Sequence, residues 1–218
     1  MLVAVGRRAD TDHLGLDAAG VQTQRGFIVT DDFLATTAKG IWAVGDVAGK
    51  LQFTHAADEM GRIAAGNALS WLPARRFRPE RIPRVTFTEP EVARVGLTEA
   101  EAAERGGRVA YLPMDEVDRA VAAGATDGFV KLVAEPRRVL GNAAGGRLVG
   151  ATVVGARDGE VIAEAALAVR TRMFTARLAQ TAHAYPTWST TIWQAAGQFF
   201  MEVGGRRARP AENHQVDS

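Results

Sequence analysis

The sequence predicts a mixed α+β protein in two parts, the second built on a mostly antiparallel sheet with flanking helices. Three observations carry that reading. Short apolar runs of strand length recur between glycines. Apolar residues recur at helical spacing over 55–72. Between these parts, residues 73–83 are rich in Arg and Pro and read as a linker.

Along the chain, residues 2–5 are apolar and stop at Gly6, the pattern of a short buried strand. Residues 26–30 form a second strand candidate that turns at Asp31-Asp32, and residues 40–46 a third that ends in Gly45-Asp46. Ala56, Met60, Ile63, Ala64 and Leu69 then mark one face of an amphipathic helix, with Pro73 just past its end. Beyond the linker, residues 85–87, 92–95, 107–114, 128–134 and 147–154 are strand-like, about five strands in all. Thr98 and Glu101 have the spacing of a capping box, in which each side chain satisfies an orphan backbone N–H of the other's turn. A helix is expected over 158–172, and two more on either side of Pro186. The polar tail from Gly204 onward is expected to be disordered, and no internal repeat is visible.

Composition narrows the function. With 26 Lys and Arg against 25 Asp and Glu, the net charge is +1, so neither nucleic acid nor an anionic membrane is expected as partner. No run approaches the roughly 18 apolar residues of a membrane span, and the first residues meet Arg7 and Arg8 without a signal-peptide core. A cytoplasmic location is the expectation. The 218 residues contain no Cys, so the chain itself offers neither disulfide nor thiol chemistry. Its four His residues, at 13, 55, 183 and 214, form no pair at metal-ligand spacing, and no metal site is expected.

An apolar segment delivering Gly45-Asp46 suits a polyol-bearing cofactor. Glycine allows close approach of the backbone, and a carboxylate accepts strong hydrogen bonds from hydroxyls. The flanking sequence sharpens this. Met1-Leu2-Val3-Ala4-Val5-Gly6-Arg7, then Leu14-Gly15-Leu16-Asp17, Gly26-Phe27-Ile28-Val29 and Thr36-Thr37-Ala38-Lys39-Gly40-Ile41-Trp42-Ala43-Val44-Gly45-Asp46 follow in an order that resembles the pyridine nucleotide–disulfide oxidoreductases. This superfamily includes dihydrolipoamide dehydrogenase, mercuric reductase and glutathione reductase. Phe87-Thr88-Glu89-Pro90-Glu91 and Gly146-Arg147-Leu148-Val149-Gly150 resemble its dimerisation domain.

The resemblance implies that residues 1–80 are the C-terminal portion of an FAD/NAD(P)-binding region and residues 84–204 an interface domain, with a tail at 205–218. It implies that Asp46, with Gly45, holds the FAD ribityl chain. It places Thr54, His55 and Ala56 at a helix start whose backbone N–H groups face the flavin, where a helix N-terminus stabilises negative charge. For His55, the backbone and not the ring is the expected contributor. The implied cofactors are FAD and NAD(P)H, and the implied assembly is a homodimer.

The match breaks near the C-terminus. Disulfide-reducing members carry His-Pro-Thr followed by Ser-Glu, the His acting as base towards a thiol of the partner subunit. Here the stretch is Ala184-Tyr185-Pro186-Thr187-Trp188-Ser189-Thr190, so Tyr185 replaces the His and Thr190 the Glu. A phenol titrating near ~10 is a poor base at neutrality. Tyr185 and His183, two residues away, are the catalytic candidates, and the family pattern implies a cis bond before Pro186. No Gly-x-Gly-x-x-Gly occurs anywhere, and residues 155–159 read as a turn. The basic runs at 75–78 and 206–209 read as solvated linker and tail, while Trp188, Trp193, Phe199 and Phe200 are expected in core or dimer packing.

Two functional classes follow. One is an FAD-dependent NAD(P)H oxidoreductase of which this chain is the C-terminal portion, completed by a separate N-terminal half if the enzyme is split. The other is a truncated or split chain that binds no FAD, is inactive, and serves as a dimerisation module.

Overall fold

A computed structural model describes residues 1–72, 75–137, 139 and 141–213. The chain divides into two compact units, Met1–Pro79 and Glu80–Ser218.

In the first unit, the strands β1 (Thr23–Gln24) and β2 (Phe27–Ile28) form a small antiparallel hairpin. A short 3-10 turn, Gly45–Ala48, precedes the helix α1 (Thr54–Ala68). Val21, Ile28 and Ala43 form a small core with Leu16, Ala38 and Val47 against it. Helix α1 buries Ala56, Met60, Ile63 and Ala64 of the expected stripe, together with Asn67, while Leu69, the fifth expected residue, lies past the helix end and is exposed. The buried Asn67 is satisfied: its Nδ2 donates to the carbonyls of Phe33 (3.1 Å) and Arg75 (2.8 Å), and its Oδ1 accepts from the Arg75 N–H at 3.1 Å.

Three expectations for this unit are corrected. Residues 2–5 form no strand and are exposed, Leu2 at 92% and Val5 at 95%, because no described segment lies alongside to complete a ladder. Residues 40–46 also lie outside any sheet. Their pairing is a single bridge from Ala35 to Trp42, with the Ala43 N–H donating to the Leu34 carbonyl. The helix ends at Ala68, short of residue 72, where the Ser70 N–H closes a tight turn onto the Asn67 carbonyl and Leu69 and Trp71 face outward.

The second unit is a six-stranded sheet in the order β3-β4-β7-β6-β5-β8, antiparallel at every pairing. Its strands are β3 (Arg84–Thr86), β4 (Glu91–Gly96), β5 (Arg108–Pro113), β6 (Phe129–Glu135), β7 (Arg147–Gly155) and β8 (Arg209–Pro210). Period-2 alternation sends Ala93 and Val95, Ala110 and Leu112, Val130 and Leu132, and Ala151 and Val153 into one core. That core also takes Ile162, Ala165 and Ala168 of α4 (Asp158–Arg170), Leu178 of α5 (Thr175–Gln180), and Ile192, Ala195 and Ala196 of α6 (Thr190–Gly197). A smaller cluster, Ala102, Val109 and Val133, joins the short α2 (Glu99–Ala103) to the sheet. The capping box opens α2 as its sequence predicts. The Thr98 Oγ1 accepts from the Glu101 N–H at 3.2 Å, and the Glu101 carboxylate accepts from the Thr98 N–H at 2.7 Å. Among the described residues two X–Pro bonds are cis, Glu89–Pro90 and Tyr185–Pro186.

The sequence misses α3 (Asp118–Ala123), a turn and a half too short to show a period. The expected disordered tail is also corrected, since Arg209–Pro210 adds the edge strand β8 to β5. Glu99 is the anchor, accepting from Arg209 at 2.6 Å and from Lys131 at 2.8 Å. Burial works against the Glu99 charge, yet these two cations outweigh it and hold the carboxyl below its usual range. The last part of the expected tail, residues 214–218, lies outside the described residues.

One buried group is out of keeping with the rest. Asp158 is fully buried at the start of α4, and neither carboxylate oxygen has a hydrogen-bond partner among the described residues. Burial, with a smaller contribution from the charge of Glu91, raises its pKa to about 7. The unfolded chain would titrate near 3.9. The folded state therefore binds the extra proton between these values, and this contribution to stability is lost as pH rises from about 4 to about 7. Asp158→Asn removes the titration, so thermal unfolding should show the variant's stability relative to the parent rising by about 4 kcal/mol between pH 4 and pH 8. A difference that is flat with pH would show that Asp158 is not held protonated.

Candidate functional site

Gly45 sits at φ +76°, the left-handed region that favours glycine, and a Cβ there would lie 3.3 Å from the Ala57 side chain. The Gly45 N–H donates to the Met60 Sδ at 3.3 Å, which ties the turn to the buried face of α1. Asp46 follows as the second residue of the turn, with its side chain 52% exposed. Among the described residues its ion pair is with Arg7 at 3.8 Å, itself 65% exposed, a contact of little energetic weight. The carboxylate is thus presented outward from a turn tied to α1 by the Gly45 N–H.

Helix α1 begins nearby in sequence. Its N-cap is Phe53, which provides no side-chain hydrogen bond, and its first turn carries no acidic residue. Thr54 and His55 are exposed there and Ala56 is buried; the His55 ring stacks on Phe53 with centroids 5.4 Å apart. A helix start without a capping side chain leaves the positive end of the dipole unopposed and suits an acceptor-rich ligand. The structure therefore brings a carboxylate, a close-approach glycine and a helix N-terminus into one short stretch of the first unit.

The C-terminal candidates lie in the second unit and take separate partners. The His183 ring is largely covered. Its Nδ1 pairs with the Thr181 carbonyl at 2.9 Å and its Nε2 with both Glu164 oxygens at 3.0 Å. Both partners are oxygen acceptors, so both ring nitrogens are engaged. Tyr185 is exposed, and its hydroxyl donates to Asp118 Oδ2 at 2.6 Å. That hydrogen bond and the Asp118 charge hold the phenol above its usual range. Thr190, in the place of the family's Glu, is buried and turns its hydroxyl to the Thr187 carbonyl at 2.7 Å.

Sequence reasoning missed both Asp118 and Glu164. Asp118 stands on a helix that shows no period, 67 residues from Tyr185. Glu164 is one acidic residue among several on α4, and only the fold sets it against His183. Among the described residues no group of three or more His, Cys, Asp or Glu could hold a metal ion, and no helix is long and apolar enough to cross a membrane.

Comparison with known proteins agrees with the two-unit layout. Residues 1–61 match the family described as pyridine nucleotide-disulphide oxidoreductase, and residues 82–196 match its dimerisation domain. A dihydrolipoyl dehydrogenase of Chlorobaculum parvum is 41% identical over 198 residues, which is 90% of this chain and 40% of that protein. A mercuric reductase of Streptomyces lividans is 37% identical over 206 residues, 93% of this chain and 42% of the relative. Among solved structures, LpdA from Mycobacterium tuberculosis aligns with a TM-score of 0.79 and 32% identity, covering 89% of this chain and 41% of that one. A HOCl-induced flavoprotein disulfide reductase of Escherichia coli, RclA, in its Cu(II) complex, aligns at 0.76 and 30%, covering 89% and 43%. The chain spans about two fifths of the length of the curated relatives it matches. With more than half of its residues matched by the dimerisation domain alone, the chain belongs to the pyridine nucleotide-disulphide oxidoreductase family.

Proposed function

We propose that this chain supplies one side of the flavin site and the dimerisation domain of an FAD-dependent NAD(P)H oxidoreductase. The observation that carries the reading is the Gly45-Asp46 turn. Its glycine holds a left-handed backbone position where a Cβ would press on Ala57, and its carboxylate faces outward in the segment leading to an uncapped helix start. These features fit a flavin. Asp46 would accept hydrogen bonds from the ribityl hydroxyls. The first turn of α1, at Thr54, His55 and Ala56, would face the pyrimidine edge with backbone N–H groups. When bound, FAD supplies the electron-transfer chemistry, and the protein's share is to orient it and control access. This sequence contains no Gly-x-Gly-x-x-Gly, so the pyrophosphate cradle has to come from residues outside these 218.

Tyr185 is not suited to replace the family's base. Its proton is committed to Asp118, its ionisation is pushed up, and no carboxylate stands at position 190 to orient an imidazole. What the phenol retains is a lone pair that can accept a hydrogen bond. His183 does not restore the missing base, since both of its ring nitrogens are already engaged. We therefore read Tyr185 and Pro186 as a docking element towards the partner subunit, and the acceptor as one reduced without the His–Glu thiol base. A homodimer fits the dimerisation domain. An apolar groove between α5 and α6, with exposed Trp193, Phe200 and Met201 at its rim, is our candidate for part of the contact.

Two results test this reading. Asp46→Ala should weaken FAD retention by about tenfold or more in the flavin-loaded enzyme, the worth of a lost charge-assisted hydrogen bond. Retention equal to the parent's would remove Asp46 from the site. In a Tyr111→Phe background, Tyr185 is the remaining tyrosine, and its phenolate absorbance reports it alone. Adding Asp118→Asn should move that titration to lower pH, because the hydrogen-bonding anion is gone. An unmoved titration would show that Asp118 does not hold the phenol.

A further inference from the structure

Away from the residues assigned above, the second unit contains a cavity of about 240 Å³ between the start of β7 and the end of α4. Four arginines line it, Arg81, Arg105, Arg147 and Arg172, against two carboxylates, Glu80 and Glu135. Glu135 is already engaged: Arg147 donates to it at 2.7 Å, and Arg105 lies 3.9 Å from its other oxygen. That single carboxylate holds two guanidinium groups at the cavity wall. The Arg147 Nε is buried and, among the described residues, has no hydrogen-bond partner.

Arg81 and Arg172 differ from the other two. Among the described residues neither forms an ion pair, so two guanidinium charges face the cavity unneutralised apart from Glu80. Arg172 also occupies a left-handed backbone position, φ +53°, just beyond the end of α4. Glycine is the low-cost residue there, and an L side chain is strained. Arginine forks match the tetrahedral oxygens of phosphate in paired hydrogen bonds. Apolar side chains, Leu97 and Val169 among them, complete the wall.

We propose that this cavity is a binding site for a small phosphate-bearing anion, held by Arg81 and Arg172 and framed by the Arg105–Glu135–Arg147 cluster. The site does not depend on the flavin reading, and binding at it does not require a loaded cofactor.

The test is isothermal titration of the protein with inorganic pyrophosphate, with sodium chloride at matched ionic strength as the reference. The parent should show saturable binding to pyrophosphate and none to chloride. Arg81→Gln combined with Arg172→Gln should weaken it by about tenfold or more, since two charge-assisted contacts are lost. A control pair, Arg177→Gln with Arg207→Gln, removes the same charge from exposed positions outside the cavity and should leave binding unchanged. Both pairs alter exposed or half-exposed side chains, so folding is preserved. The proposal is overturned by any of three results: no saturable binding by the parent, undiminished binding in the cavity pair, or equal loss in both pairs.

Discussion

The second unit depends on the two-residue alternation of β4, β5, β6 and β7. Because their small and branched side chains fall on one face, a single core can be closed by α4, α5 and α6 laid across it. A one-residue slip of any central strand would turn Val130 and Leu132, or Ala151 and Val153, away from those helices. Side-chain volume reinforces the register. Gly150 packs against the Leu97 backbone, and a Cβ there would overlap it, so the end of β4 meets β7 too closely for any other residue. Once the sheet is set, its edges are finished by polar contacts. Glu99 gathers Lys131 and Arg209, and β8 is held on the outer side of β5.

That scaffold explains the arrangement at the C-terminal candidates. Helix α4 presents Glu164 to His183, and the short α3 presents Asp118 to Tyr185. The two rings are therefore fixed by different elements and do not cooperate as a base and its orienting group. In the first unit the logic is local. Met60, buried on α1, holds the Gly45 N–H, and Gly45 takes at low cost the left-handed backbone from which Asp46 is displayed.

Much of this was legible in the sequence, for identifiable reasons. Strands β4 to β7 show up because half-buried strands alternate, and α1 and α4 because their buried stripes recur at helical spacing. The Thr98–Glu101 box is a local signal with a local cause. The failures share another cause: they depend on partners distant in the chain. Whether residues 2–5 become a strand depends on a neighbour to pair with. Whether the polar stretch at 209–210 becomes ordered depends on Glu99, more than a hundred residues earlier. Asp46, Tyr185 and His183 could be singled out by motif. Asp118 and Glu164 could not, since their roles exist only once α3 and α4 are placed. The cavity arginines lie on four separate segments and carry no motif at all.

The most direct measurement is the visible absorption spectrum of the purified chain with FAD added. It should be taken with and without a polypeptide carrying the family's Gly-x-Gly-x-x-Gly segment, alongside a size-exclusion run. The account predicts a colourless dimer alone and a yellow complex, bleached by NAD(P)H, once that segment is supplied. A chain that turns yellow and bleaches unaided would show that it completes the flavin and nicotinamide sites by itself. A supplemented mixture that stays colourless would contradict the assignment of Gly45, Asp46 and the α1 N-terminus to the flavin.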